Sequence, residues 1–182
     1  MSSLPIETQR HLIAEHGLKP WFFAQWVSIE DRNEVARRLQ VPERLRHPCD
    51  FETAVQSYDP HDEEKWVWIT SHAPGWTLVL FLSGRIPPPS EALSIGRQRV
   101  FEISYISGVE ELDELRYIHD GEITGDIFQA DEYAAHWADL PYDGMMLPEE
   151  ELEHYLIIMG RVTGRFLDRE CFSSEGLLCM IP

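Results

Sequence analysis

Carboxylates are the side chains through which this chain could do the most chemistry. Between Glu102 and Glu153 it holds sixteen Asp or Glu residues and one basic residue, Arg116. Glu110, Glu111, Asp113, Glu114, Asp120, Glu122, Asp126, Asp131 and Glu132 form the part of this stretch that local structure accounts for least. Paired carboxylates can run general acid–base catalysis, but any acidic protein contains such pairs, and no enzyme is expected from them. Clustered like charges also weaken a compact fold by self-repulsion and attract basic partners. Tyr133 and Trp137 follow Asp131 and Glu132 directly, and aromatics flanked by acids have the make-up of an anchor-plus-charge binding patch. The plainer alternative is that one face of this short segment packs inward.

Other reactive types are sparse. The chain lacks a phosphate-cradling glycine loop, a GxSxG elbow and an HExxH pair. His47, Cys49, His61 and Asp62 fall short of the paired short spacings of a structural zinc site, so neither a metal nor another cofactor is expected. Three cysteines, Cys49, Cys171 and Cys179, make an odd set without a CxxC. They fit a reduced, cytoplasmic setting, with Cys171 and Cys179 as small buried apolar residues. A pocket near residues 42–76, gathering His47, His61 or His72, would mark a small enzyme or a ligand-binding domain instead.

The charge is unevenly placed. Of a formal −17, residues 1–100 contribute little, with eleven Lys or Arg against thirteen Asp or Glu. An anionic phosphate backbone or lipid surface should repel such a chain, so nucleic acid and membrane are not expected partners. The 43% hydrophobic content, with six Trp, argues for a packed core rather than disorder. The first residues lack a basic segment followed by an apolar one, so no secretory signal is expected. No apolar run approaches the roughly 20 residues that span a bilayer.

The elements that must position the acids are legible in part. Residues 21–27 read as an aromatic strand, and Ser28 can cap a helix that carries Val35 and Leu39 on one face. Residues 42–64 read as an irregular connection with a strand or short helix near 51–56. Residues 65–71 and 76–83 form an antiparallel hairpin around Pro74-Gly75, the second strand apolar enough to be covered on both sides. After Pro87-Pro88-Pro89, Ser90 caps a short helix. Residues 100–106, 115–119 and 123–128 are strands, the last two joined by Asp120-Gly121, a pair suited to a tight turn. Residues 131–138 are expected to be helical. The best-marked helix opens at Pro148, carries Glu149-Glu150-Glu151 at its positive end, and ends at or before Gly164. The sum is a single α+β domain over residues 1–182: a mostly antiparallel sheet of about five or six strands packed by two to four helices.

Gly75-Trp76-Thr77 opening a strand, a central strand over 101–105, the Asp120-Gly121 turn and a helix closing on Thr163-Gly164 together resemble an uncharacterised bacterial family of small cytoplasmic α+β proteins. The resemblance covers roughly residues 60–182 and implies fold and compartment, with no catalytic residue. Function is then read from charge. Each close like-charge pair costs some tenths of a kcal/mol, against a total stability of about 5–15 kcal/mol. Solubility needs a net charge of only about 2–8. The expectation is a basic protein partner, such as a toxin that the chain covers as an immunity or antitoxin-type inhibitor. The alternatives are the pocketed domain already mentioned and a scaffold subunit.

Overall fold

The computed structural model describes residues 3–18, 20–59, 63–83, 90–109, 111–142 and 144–182. Glu110, His61 and the Pro87-Pro88-Pro89 break lie outside them. In chain order the elements are α1 (Gln9–Glu15), β1 (Trp21–Val27), α2 (Arg32–Arg38), β2 (Arg46–Cys49), α3 (Phe51–Gln56), β3 (Lys65–Ala73), β4 (Trp76–Phe81), α4 (Ser90–Ser94), β5 (Arg99–Ile106), β6 (Glu111–Leu112), β7 (Arg116–His119), β8 (Glu122–Asp126), α5 (Pro148–Thr163), α6 (Arg169–Ser173) and β9 (Gly176–Ile181). Short 3-10 segments run Glu43–Leu45, Ile127–Gln129 and Asp131–His136.

The class is α+β, with one antiparallel sheet in the order β2-β9-β3-β4-β1-β5-β7-β8 and β6 also on β5. Among the described residues, nine strands replace the five or six expected. The additions are β2, β6 and β9, for which the sequence carries weak local signals. β2 contains Pro48, which an edge strand tolerates, and β6 is only two residues long. The connection over 42–64 therefore holds both a strand and a helix, α3.

At the centre, β4 is buried at every position. Its pairing with β3 leaves Pro74-Gly75 as the turn, where Gly75 adopts φ +80°. Alternation along the strands separates two cores. Trp26, Trp68, Leu78, Leu80, Phe101 and Ile103 pack under Leu12, Phe51, Leu156, Met159 and Phe172, from the helices on one face. Val67, Ile69, Val79 and Val100 pack on the other face against Val35, Ala36, Leu39 and Leu93, from α2 and α4.

Two expected caps are corrected. α2 is capped by Asp31, whose carboxylate accepts from Asn33 N at 2.8 Å. Ser28 is drawn away by β5: its hydroxyl accepts from Arg99 N at 2.7 Å and donates to Gln98 Oε1 at 3.0 Å. Ser90 likewise does not cap; its hydroxyl donates to Glu102.

α5 ends at Gly164, in the left-handed region at φ +84°. Gly160 sits one turn earlier beneath Phe166: a Cβ there would lie 2.1 Å from the Phe166 ring. Ala at this position should gain about 1 kcal/mol of helix propensity and lose about 1–3 kcal/mol by displacing the ring. Gly160→Ala should therefore lower the urea midpoint at unchanged m. A midpoint at or above that of the parent would show that the contact is dispensable.

Candidate functional site: an acidic face beside an aromatic cleft

The β7–β8 hairpin turns through Asp120 (φ +49°) and Gly121 (φ +84°), the pair of positive φ angles that a tight hairpin turn requires. Asp120 has structural work. Its carboxylate accepts from Gly96 N at 3.0 Å and Arg97 N at 2.9 Å, which ties the turn to the end of α4 and lowers its pKa. Gly121 N donates to Ser94 Oγ at 2.8 Å from the other side of the same junction.

Arg116, the one basic residue of the acidic stretch, is spent inward. Its Nη1 donates to Glu102 Oε1 at 3.3 Å, and Glu102 is only 6% exposed. Gln25 Nε2 donates to the other Glu102 oxygen at 2.8 Å and to Ser90 Oγ at 2.7 Å. Removing one member of such a buried network would leave the others unpaired. Among the described residues, no Lys or Arg is then left in an ion pair with exposed Glu111, Asp113, Glu114, Glu122, Asp131 or Glu132. Among the described residues, Glu132 accepts only from Tyr117 Oη, at 3.4 Å. Elsewhere the arginines are largely engaged: Arg32 with Glu175, Arg37 and Arg38 with Glu34, Arg161 with Asp139, Arg165 with Asp168, and Arg169 with Glu7 and Glu15.

The segment after Asp131 is a 3-10 helix, not the α-helix expected over 131–138. At three residues per turn, side chains four apart diverge by about 120°, so Tyr133 and Trp137 part company. Tyr133 is 5% exposed, edge-on to Phe101 at 5.2 Å and to Tyr117 at 5.3 Å. Its ring belongs to the core and offers no anchor to a partner. Trp137 remains partly exposed, with its ring 5.3 Å from that of Phe128.

Trp137 and Phe128 form one wall of a cleft of about 520 Å³ between the 3-10 segments and α5. From α5 come Glu151, His154, Tyr155 and Ile158, one face of the helix at i, i+3, i+4 and i+7. Asp126 also lines the cleft, its carboxylate accepting from Phe128 N at 3.1 Å as it caps the first 3-10 turn. Burial pushes the Asp126 carboxyl above its ordinary value, and the negative charges of Glu114 and Glu151 push the same way. Tyr155 Oη donates to Glu151 Oε1 at 3.1 Å, and burial beside Glu151 and Asp126 raises the phenol strongly. Tyr142 stands at the rim, 72% exposed. Phe128, Tyr142, Glu151, His154 and Tyr155 were not legible as site residues. Glu151 reads as a complement to the helix dipole, and Tyr155 lies outside the apolar stripe of Leu152, Leu156, Met159, Val162 and Phe166; the i, i+4 spacing of the two was the available signal.

Of the residues expected around a pocket at 42–76, His47 and His72 do not converge, and His61 lies outside the described residues. His47 lies exposed on edge strand β2, while His72 is buried beneath the end of α5. Cys171 and Cys179 are buried free thiols, each pushed up to about 12 by that burial, which suppresses thiolate chemistry. Among the described residues, no three His, Cys, Asp or Glu side chains gather to hold a metal, and no helix is long and apolar enough to cross a membrane. Comparison of the chain with family profiles, curated proteins and solved structures returned no match.

His72 predicts a pH dependence. Its Nε2 donates to the Arg165 carbonyl at 2.9 Å, and burial lowers its pKa from 6.5 to about 4. The folded chain thus keeps the ring neutral while the unfolded chain protonates it below pH 6.5. This contribution to stability is whole above that pH and is lost as pH falls toward 4. Between pH 7 and 4.5 it should cost about 2 kcal/mol. His72→Gln should show that much less acid destabilisation than the parent in urea unfolding at the two pH values. Equal pH slopes would rule the imidazole out as the cause.

Proposed function

We propose that this chain is a non-catalytic, acidic binding protein that covers a basic surface of a protein partner, as an immunity or antitoxin-type inhibitor covers a toxin in the cytoplasm. One observation carries the reading. The only cation of the acidic stretch is drawn inward to Glu102, and Glu111, Asp113, Glu114, Glu122 and Asp131 stand exposed without an ion pair among the described residues. Arg32, Arg38 and Arg165 answer acids elsewhere, and Arg97 and Arg99, beside the hairpin, make no ion pair with these five among the described residues. Complementary charge would speed encounter about 10–10³-fold and would weaken with salt. A ligand-binding domain is the second reading, and the cleft at Trp137 and Tyr155 favours it more than residues 42–76 do.

Capture from host lysate at low and high salt tests the first reading. A basic protein should be retained at low salt and released as salt rises. A variant carrying Glu111→Gln, Asp113→Asn, Glu114→Gln, Glu122→Gln and Asp131→Asn should bind that protein at least about tenfold more weakly, because the lost steering and contacts are electrostatic. It spares Asp120 and Asp126, which hold the backbone. Recovery of no basic partner under either condition, or equal recovery by the variant, would overturn the reading.

A further inference from the structure

We infer that the cleft between the 3-10 segments and α5 receives the guanidinium of an arginine side chain presented by a polypeptide. The inference takes from the acidic-partner reading only the source of that arginine; its chemistry rests on the cleft.

Two observations converge. The walls are aromatic, with the Phe128 ring 5.3 Å from Trp137 and 6.0 Å from Tyr155, and all three residues line the one cleft. Ring faces attract cations, most strongly where water is thinned. Two carboxylates, Asp126 and Glu151, share that space, and no lysine or arginine is among its lining residues. Partial burial and the charges of Glu114 and Glu151 raise the pKa of Asp126, and a bound cation would offset both.

Arginine fits better than lysine. Its planar guanidinium stacks on aromatic rings, is more weakly hydrated than an ammonium, and can donate two parallel hydrogen bonds to one carboxylate. Tyr142 at the rim can lie over the arginine stem without disturbing the core, being 72% exposed in its absence.

The test uses the full chain and three small probes: N-acetyl-arginine amide, N-acetyl-lysine amide, and N-acetyl-citrulline amide as the neutral isostere. Binding is read from the indole N–H shift of Trp137 in two-dimensional NMR. The arginine probe should shift it saturably, the lysine probe more weakly, and the citrulline probe not at all. Asp126→Asn keeps the oxygen that caps the 3-10 turn, and combined with Glu151→Gln it should weaken the arginine probe about tenfold or more. Unchanged shifts elsewhere would show the fold intact. Equal response to arginine and citrulline, or no response at Trp137, would overturn the inference. A basic protein that binds the double variant as well as the parent would overturn it too, while leaving the acidic-partner reading standing. Probe binding with no basic protein recovered from lysate would uphold the cleft and defeat that reading.

Discussion

The acidic stretch stays folded because its aromatic residues alternate with its charges, and three rings carry most of that constraint. Phe101 stacks on Tyr117 at 4.9 Å, and Tyr133 meets both edge-on at 5.2 and 5.3 Å. These contacts fasten β7 and the Asp131–His136 segment to β5, with Leu115 and Ile127 buried beside them. Burial of such a side chain is worth about 1.5–3 kcal/mol, and a favourable ring pair adds about 0.5–1.5 kcal/mol. A close like-charge pair costs only a few tenths. The rings therefore outweigh many repulsions, and the charges can remain outward without unfolding what holds them.

The same constraint fixes the cleft. Tyr133 turns into the core because the 3-10 repeat separates it from Trp137, and Trp137 is left to meet Phe128. Had residues 131–138 continued as an α-helix, both rings would have shared one face. The wall of the cleft is thus a by-product of how the segment reaches its anchor, and Asp126 lines the cleft as it caps the preceding 3-10 turn.

Local chemistry made part of this legible. Gly75 and Asp120-Gly121 occupy turns whose φ angles they suit, β4 is apolar and central, and Pro148 and Gly164 bracket α5. What escaped depends on distant partners. β9 is a strand because it finds the free edge of β3, and β2 because it then finds β9, a chain of pairings with no local signature. Ser28 has a capping side chain, but β5 claims it. α1 is held from far along the chain, where Glu153 accepts from Gln9 N at 3.1 Å and Arg10 N at 2.8 Å. The charge excess was plain in the sequence, but its division into employed and idle carboxylates was not.

That division bears on what the idle charges are for. Glu102, Asp120, Asp139, Glu149 and Glu153 each hold a named partner within the fold. Another structural explanation is available for Glu122, which begins the edge strand β8: charge on an edge deters pairing with a second chain. Edge protection needs no more than one or two such residues, and the irregular pairing of β7 with β8 near Tyr117 already discourages a flat ladder. It says nothing about Asp131, which lies in a 3-10 segment with no ladder to guard. It says nothing either about Glu114, which raises the pKa of Asp126 in a cleft lined with rings. Among the described residues neither charge is paired with a cation, and Glu114 adds its repulsion to Asp126 rather than relieving it.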